Sequence, residues 1–390
     1  MKMLFLALSL IFSTYTFCQL REGFNPDEVK TCISMCNSYT FLDLYGSDTK
    51  ILPKGYKKVY TSPVMGMDNK FQVYESVNLA VINFRGSTDQ VTSWIENMYS
   101  AMVPAKGVIT LGKTKHPYCF ARDTGTAVHS GYALAVVIMS NTIIEQIEML
   151  NKKGIYNIII TGHSQGGALA NLTRAYLENL PKRKLSSKNV YKTYAFANPM
   201  CGNKEFSEEF HSRFCENNMS YSIINPEDWV PQMPMHYEEE DNLFSKESLK
   251  DFLFGKKAFD IRKIGMQLVI RKFEKNLKDY INSSNRLIEK TISKAYGNIE
   301  MPDYIRDINY FQTGSVRHLQ PFLYPRIKLD PSKLTEKQLG KMKPDANGDY
   351  YKQEPGFYQH KPYNYYVGIL KEYFSRDYKN LERLYLPENL

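Results

Sequence analysis

The stretch Asn157–Gly167, NIIITGHSQGG, allows few folds. Its unbroken isoleucine run reads as a strand buried on both faces. The apolar spacing of GALANLTRAYLENL directly after it reads as a helix that stops at Pro181. Between the two stands Gly-x-Ser-x-Gly. Gly162 and Gly166 remove side chains that would block so sharp a turn, which leaves the Ser164 hydroxyl exposed at the apex, and the helix amino terminus behind it favours developing negative charge. A glycine-rich turn that merely contains serine is the plain alternative. The strand before it and the helix after it favour a nucleophile.

FQVYESVNLAVINFRG, from Phe71, reads as two short strands broken near Asn78, and STDQVTSWIENM as the start of a helix. AMVPAKGVITLGKTKHPYCFARDTG reads as irregular, because Pro104, Gly107, Gly112 and Pro117 interrupt any helix. A helix through VHSGYALAVVIMSNTIIEQIEMLNKKG ends at Lys152, Lys153 and Gly154, and VYKTYAFA and SYSIIN are further strands. Strands alternating with helices imply an α/β chain with a mostly parallel sheet flanked by helices. Near 256–296 apolar residues recur every three or four positions among many lysines and arginines, which predicts a basic helical insertion at about 240–300. Packing against its own domain is the commoner fate of such a face; lying on a membrane is the rival.

The first residues, MKMLFLALSLIFSTYTFCQL, carry one early lysine and an apolar run too short to span a bilayer, so 1–18 reads as a signal peptide and the protein as secreted, or resident in the lumen of a secretory compartment. No later stretch looks long and apolar enough to cross a membrane. Residues 19–390 then fit one large domain. An exported chain favours disulfides among Cys32, Cys36, Cys119, Cys201 and Cys215, and no second cysteine or histidine pair gives Cys32 and Cys36 zinc-site spacing. Asn218 and Asn282 fit glycosylation sequons, while Asn171 falls on a helix expected to be buried. A net charge of +9 fits a solvated basic surface or peripheral contact with acidic lipid; with no arginine-rich stripe or nucleic-acid motif, no nucleic-acid partner is expected.

A serine hydroxyl needs a base, and the base needs a group that holds its tautomer. In a strand-turn-helix site the chain order is Ser, then Asp or Glu, then His. Glu227, Asp228 and Asp241 are the candidate acids; His236, His318 and His360 are the histidines placed late enough.

Taken together, VINFRGS, WIEN, VHSGYALA, IIITGHSQGGALA, YAFANPMCGN, INPEDWVPQMP and QHKPYNYY resemble the class 3 lipase family, the fungal-lipase-like α/β hydrolases, across residues 70 to 370. The resemblance implies an α/β-hydrolase-type fold with Ser164 as nucleophile, Asp228 as orienting carboxylate and His360 as base, His318 being the runner-up. It implies that the Ser87 backbone amide, with or without its hydroxyl, and the Gln165 backbone amide form the oxyanion hole, and that residues 98–126 occupy a lid position. Arg85 reads as an ion-pairing residue that holds the turn. The expected chemistry is ester hydrolysis through an acyl-enzyme on lipid, triacylglycerol first and phospholipid next, with no metal or organic cofactor. Acyl transfer by the same triad and lipid binding on a hydrolase scaffold are the alternatives. Two departures stand out: an unusually long gap between Asp228 and His360, and the absence of an arginine after Pro199.

Overall fold

The computed structural model describes residues 20–387 apart from 89, 235–291, 306, 308 and 341. The expected signal peptide, most of the basic insertion, His236, Asp241 and Asn282 lie outside the described residues.

A seven-stranded sheet runs through the protein in the order β1 (Lys57–Thr61), β2 (Phe71–Glu75), β3 (Leu79–Phe84), β8 (Asn157–His163), β9 (Val190–Phe196), β10 (Ser220–Ile224) and β12 (Ser315–His318). The first three strands are antiparallel, and from β3 onward every neighbour is parallel. The sheet is covered on both faces, which explains the isoleucine run. Ile158 and Ile160 pack with α4 (Ser130–Lys152) and α5 (Gln165–Glu178). Ile159 points the other way, towards α1 (Pro26–Cys36) and α7 (Pro362–Tyr373). Successive strand residues alternate faces, so a strand covered on both sides needs apolar residues at every position. Each fully buried isoleucine contributes roughly 1.5–3 kcal/mol.

By length and composition α4 does qualify as a membrane span, contrary to the sequence expectation. Its residues from Tyr132 to Val137 are all buried in the core, so its apolarity is accounted for by the sheet and α5.

The segment read as irregular is ordered. Met102–Pro104 (β4) pairs with Ala127–His129 (β7), and Lys106–Leu111 (β5) forms a hairpin with Thr114–Cys119 (β6), extended by Ile299–Glu300 (β11). Gly112, at φ +61, opens a two-residue turn of the kind hairpins favour. Pro117 lies on the edge strand β6, where a missing N–H is tolerated. Glycine and proline thus mark turns and edges here rather than loss of structure. Ile109, Tyr118 and Phe120 anchor the hairpin in the main core.

The disulfide expectation is not met among the described residues: all five cysteines are free thiols. Cys32 and Cys36 sit one turn apart on α1, projecting from the same face in parallel rather than towards each other. Cys36 donates to Asn83 Oδ1 at 3.3 Å, and Cys201 lies 3.4 Å from Thr313 Oγ1. Alkylation of the protein unfolded without reductant, followed by peptide mapping, should find a modified thiol at each of the five positions; an intact bridge between any two would contradict this arrangement.

Candidate active site

β8 ends at His163, α5 begins at Gln165, and Ser164 alone makes the turn with φ +59 and ψ −131. Such backbone is costly for a residue with a Cβ and persists only where the surroundings over-determine it. Here they do. A Cβ on Gly162 would overlap the Gly166 carbonyl, and one on Gly166 would overlap the Phe84 carbonyl, so the strand and helix meet at backbone contact.

The carboxylate comes from the turn after β10. Asn225 organises it, accepting the Glu227 N–H on its side chain at 3.0 Å and the Asp228 N–H on its carbonyl at 2.9 Å, as asparagine does in such turns. Asp228 is 1% exposed. Its Oδ1 accepts the Val230 N–H at 3.0 Å, and its Oδ2 accepts from the Tyr365 hydroxyl at 2.8 Å.

The imidazole comes from the loop before α7. Tyr358 and Gln359 fix that loop: the Tyr358 hydroxyl donates to the Leu323 carbonyl at 3.1 Å, and Gln359 accepts from Asn225 Nδ2 at 2.7 Å. His360 Nδ1 then lies 2.8 Å from Asp228 Oδ2 and Nε2 lies 2.8 Å from Ser164 Oγ. A carboxylate can only accept, so Nδ1 carries the proton and Nε2 is left to accept from the serine hydroxyl. This arrangement can deprotonate Ser164 as it attacks an electrophile and return the proton to a leaving group.

Of the predicted residues, the structure brings Ser164, Asp228, His360, Ser87 and Gln165 together. His318 is exposed on β12 and Glu227 is exposed on its turn. Arg85 pairs with Asp68 at 3.0 Å and donates to the Asp68 carbonyl at 2.6 Å, which holds the turn preceding Ser87. Asn171 is buried and donates to Thr313.

Sequence reasoning assigned no role to Tyr365, Asn97 or Glu96. Asn97 Nδ2 donates to Ser87 Oγ at 2.8 Å, and the Ser87 hydroxyl donates to Gln165 Oε1 at 2.9 Å. Asn97 is steadied from the start of α4: its Oδ1 accepts from the Tyr132 hydroxyl at 2.9 Å. Its carbonyl accepts from His129 Nε2 at 3.2 Å. Burial drives the His129 imidazole down to about 3, so the ring is neutral. The quoted WIEN motif was the available signal, but what Glu96 and Asn97 touch lies outside any local pattern.

Ser164 and His360 open into a cleft walled by Pro199, Val230, Met233 and Phe357, with Ser87 and Asn97 at its polar end. Trp229 packs against Phe357 with ring centroids 5.0 Å apart. A mostly apolar cleft with a few convergent polar groups suits an apolar chain carrying one polar reactive bond.

Residues 81–238 match the family described as Lipase (class 3). That segment contains Ser87, Ser164, Gln165 and Asp228 and ends before His360. The chain is 26% identical over 167 residues to a secreted mono- and diacylglycerol lipase of Malassezia restricta, covering 42% of this chain and 50% of the relative. It thus spans about half the length of the curated relatives it matches. Among solved structures, a Rhizomucor miehei lipase propeptide complex is similar with a TM-score of 0.42 and 21% identity, over 55% of this chain and 64% of that one. A lipase from Rhizopus microsporus var. chinensis gives 0.39 and 20%, over 55% and 71%.

Burial and the neighbouring Asp228 charge keep the Tyr365 phenol protonated, so it remains a donor. Tyr365→Phe should therefore destabilise the fold by about 1–3 kcal/mol, since it strips a buried donor from Asp228 and an acceptor from the Asn225 N–H. The urea midpoint measures this; an unchanged midpoint would deny the bond its structural weight.

Proposed function

From a chain of the class 3 lipase family across residues 81–238, we infer a secreted serine hydrolase that cleaves carboxylic esters of lipids through an acyl-enzyme. The observation that carries this reading is the hydrogen bond from Ser164 Oγ to His360 Nε2, 2.8 Å long, on an imidazole backed by Asp228. Ser164 attacks the acyl carbonyl as His360 takes its proton. Asp228 holds the ring and stabilises the imidazolium. His360 returns the proton to the departing alcohol, and water then repeats the sequence in reverse to free the fatty acid.

Charge on the tetrahedral oxygen is met by backbone amides. Gln165 is the first residue of α5, where N–H groups have no partner within the helix. Ser87 lines the polar end of the same cleft, and its backbone amide is the second donor of the reading. Fixed donors of this kind are worth ~10²–10³ in rate each. The apolar walls favour acylglycerols over soluble esters, with phospholipid as the second class. Met200 stands where the family often carries an arginine, and Pro199 before it forms part of the wall. Residues 1–18 direct export.

Ser164→Ala should lower kcat by about 10⁴-fold or more on both a short-chain ester and an acylglycerol emulsion. A fluorophosphonate should label the wild-type protein and leave that variant unlabelled. Asp228→Asn should retain the nucleophile but lose most of the rate, because the amide can donate to Nδ1 and favour the wrong tautomer. Undiminished turnover by Ser164→Ala would end the proposal.

A further inference from the structure

Under the oxyanion turn lies a carboxyl that the acyl chemistry itself does not use. Glu96, on the helix Val91–Met98 (α3), is fully buried. Its Oε2 accepts from Asn69 Nδ2 at 2.6 Å, and its Oε1 accepts from Gln165 Nε2. A carboxylate offers acceptors only, so it dictates which end of the Gln165 amide faces it. With the nitrogen so committed, Gln165 Oε1 turns to the Ser87 and Ser93 hydroxyls, each at 2.9 Å. Reversing the amide would set its oxygen against the carboxyl and its nitrogen against two hydroxyls already placed to donate. The Ser87 hydroxyl therefore spends its one proton on Gln165 while its lone pair takes Asn97 Nδ2. That proton is not aimed at the substrate, which leaves oxyanion binding at this position to the Ser87 backbone N–H.

We propose that Glu96 is a positioning residue for ester hydrolysis: acting through the Gln165 side chain, it locks the oxyanion turn at Ser87 to the elbow at Gln165, so that both backbone donors converge on one point. The proposal rests on Ser164 being the nucleophile of an ester hydrolase. Two donors on separate segments serve one oxygen only if those segments are held in register, and Gln165 is the side chain that spans them.

The surroundings make this brace sensitive to protons. Burial pushes the Glu96 carboxyl up to about 8, the Asn69 and Gln165 hydrogen bonds pull it back, and the charge on Asp68 raises it. Asp68 is itself paired with Arg85. The Tyr132 phenol of α4 and the neutral His129 at the end of β7 stand nearby; neither supplies a cation. Protonation replaces one acceptor oxygen with an O–H and so loosens one of the two amide bonds.

The test measures kcat and KM on a water-soluble short-chain ester across neutral and alkaline pH, for wild type, Glu96→Gln and Ser164→Ala. Glu96→Gln should lower kcat on the order of 10-fold with KM unchanged, less than the loss of a whole oxyanion donor. The wild type should show a rise in kcat near pH 8 as the carboxyl ionises, and Glu96→Gln should lack it. In a Gln165→Leu background Glu96→Gln should change kcat no further, because its effect passes through that side chain. Wild-type kcat and pH profile in Glu96→Gln, or fully additive losses in the double variant, would overturn the proposal. If Glu96→Gln does not fold, Gln165→Leu alone reads the same brace: a fall in kcat supports it and an unchanged kcat overturns it. Residual turnover by Ser164→Ala would sink the hydrolase reading itself, whereas an inactive Ser164→Ala beside an unimpaired Glu96→Gln would sink only the role of Glu96.

Discussion

The positive φ of Ser164 is the constraint on which the site depends. A serine adopts that backbone only because the elements it joins are each fixed without its help: β8 lies between two parallel neighbours, and α5 is buried along most of its length. Fixed ends and a single residue between them leave the side chain one direction, outward and towards the loop that carries His360. Buried apolar surface in the sheet thus maintains strain at one residue, and that strain aims a hydroxyl. The same close contact sets the first turn of α5 directly behind the Ser164 hydroxyl.

Around that turn, polar groups are ordered by a simple rule: each amide or imidazole takes its orientation from a neighbour that can play only one part. Asp228 can only accept, which fixes His360. Glu96, when ionised, can only accept, which fixes Gln165. The Tyr132 backbone N–H can only donate, which gives His129 Nδ1 the acceptor role and leaves Nε2–H for the Asn97 carbonyl. Such chains keep buried polar groups paired where unpaired ones would be costly, and they transmit position over several residues.

What the sequence revealed follows from range. The elbow, the two strands ahead of the oxyanion turn, the core helix and the strand-helix alternation are written in contiguous patterns, and the structure has them where expected. The hairpin at 106–119 was missed because glycine and proline were read as breakers, although KGVITL keeps the alternation of a strand. The helices α1 and Ser38–Tyr45 (α2) were not read, although Asn25, Pro26, Asp27 and Glu28 mark the start of α1 locally. Tyr365 and Glu96 went unassigned because their partners lie 137 and 69 residues away. The disulfides expected of an exported chain are absent among the described residues, and for Cys32 and Cys36 the reason is local, since two cysteines on one helix face do not point at each other.

The two ends of the described chain meet on one face of the sheet. Asn37, just past α1, donates to the Pro362 carbonyl at the start of α7 at 3.1 Å, and Lys30 of α1 pairs with Asp377 at 2.9 Å. α7 is also the helix that follows directly on His360 and carries the Tyr365 hydroxyl bound to Asp228. The loop that carries His360 is consequently clasped by head and tail together. The position of the His360 imidazole is therefore set from both margins of the described chain, by groups on α1 and past α7 that never touch it.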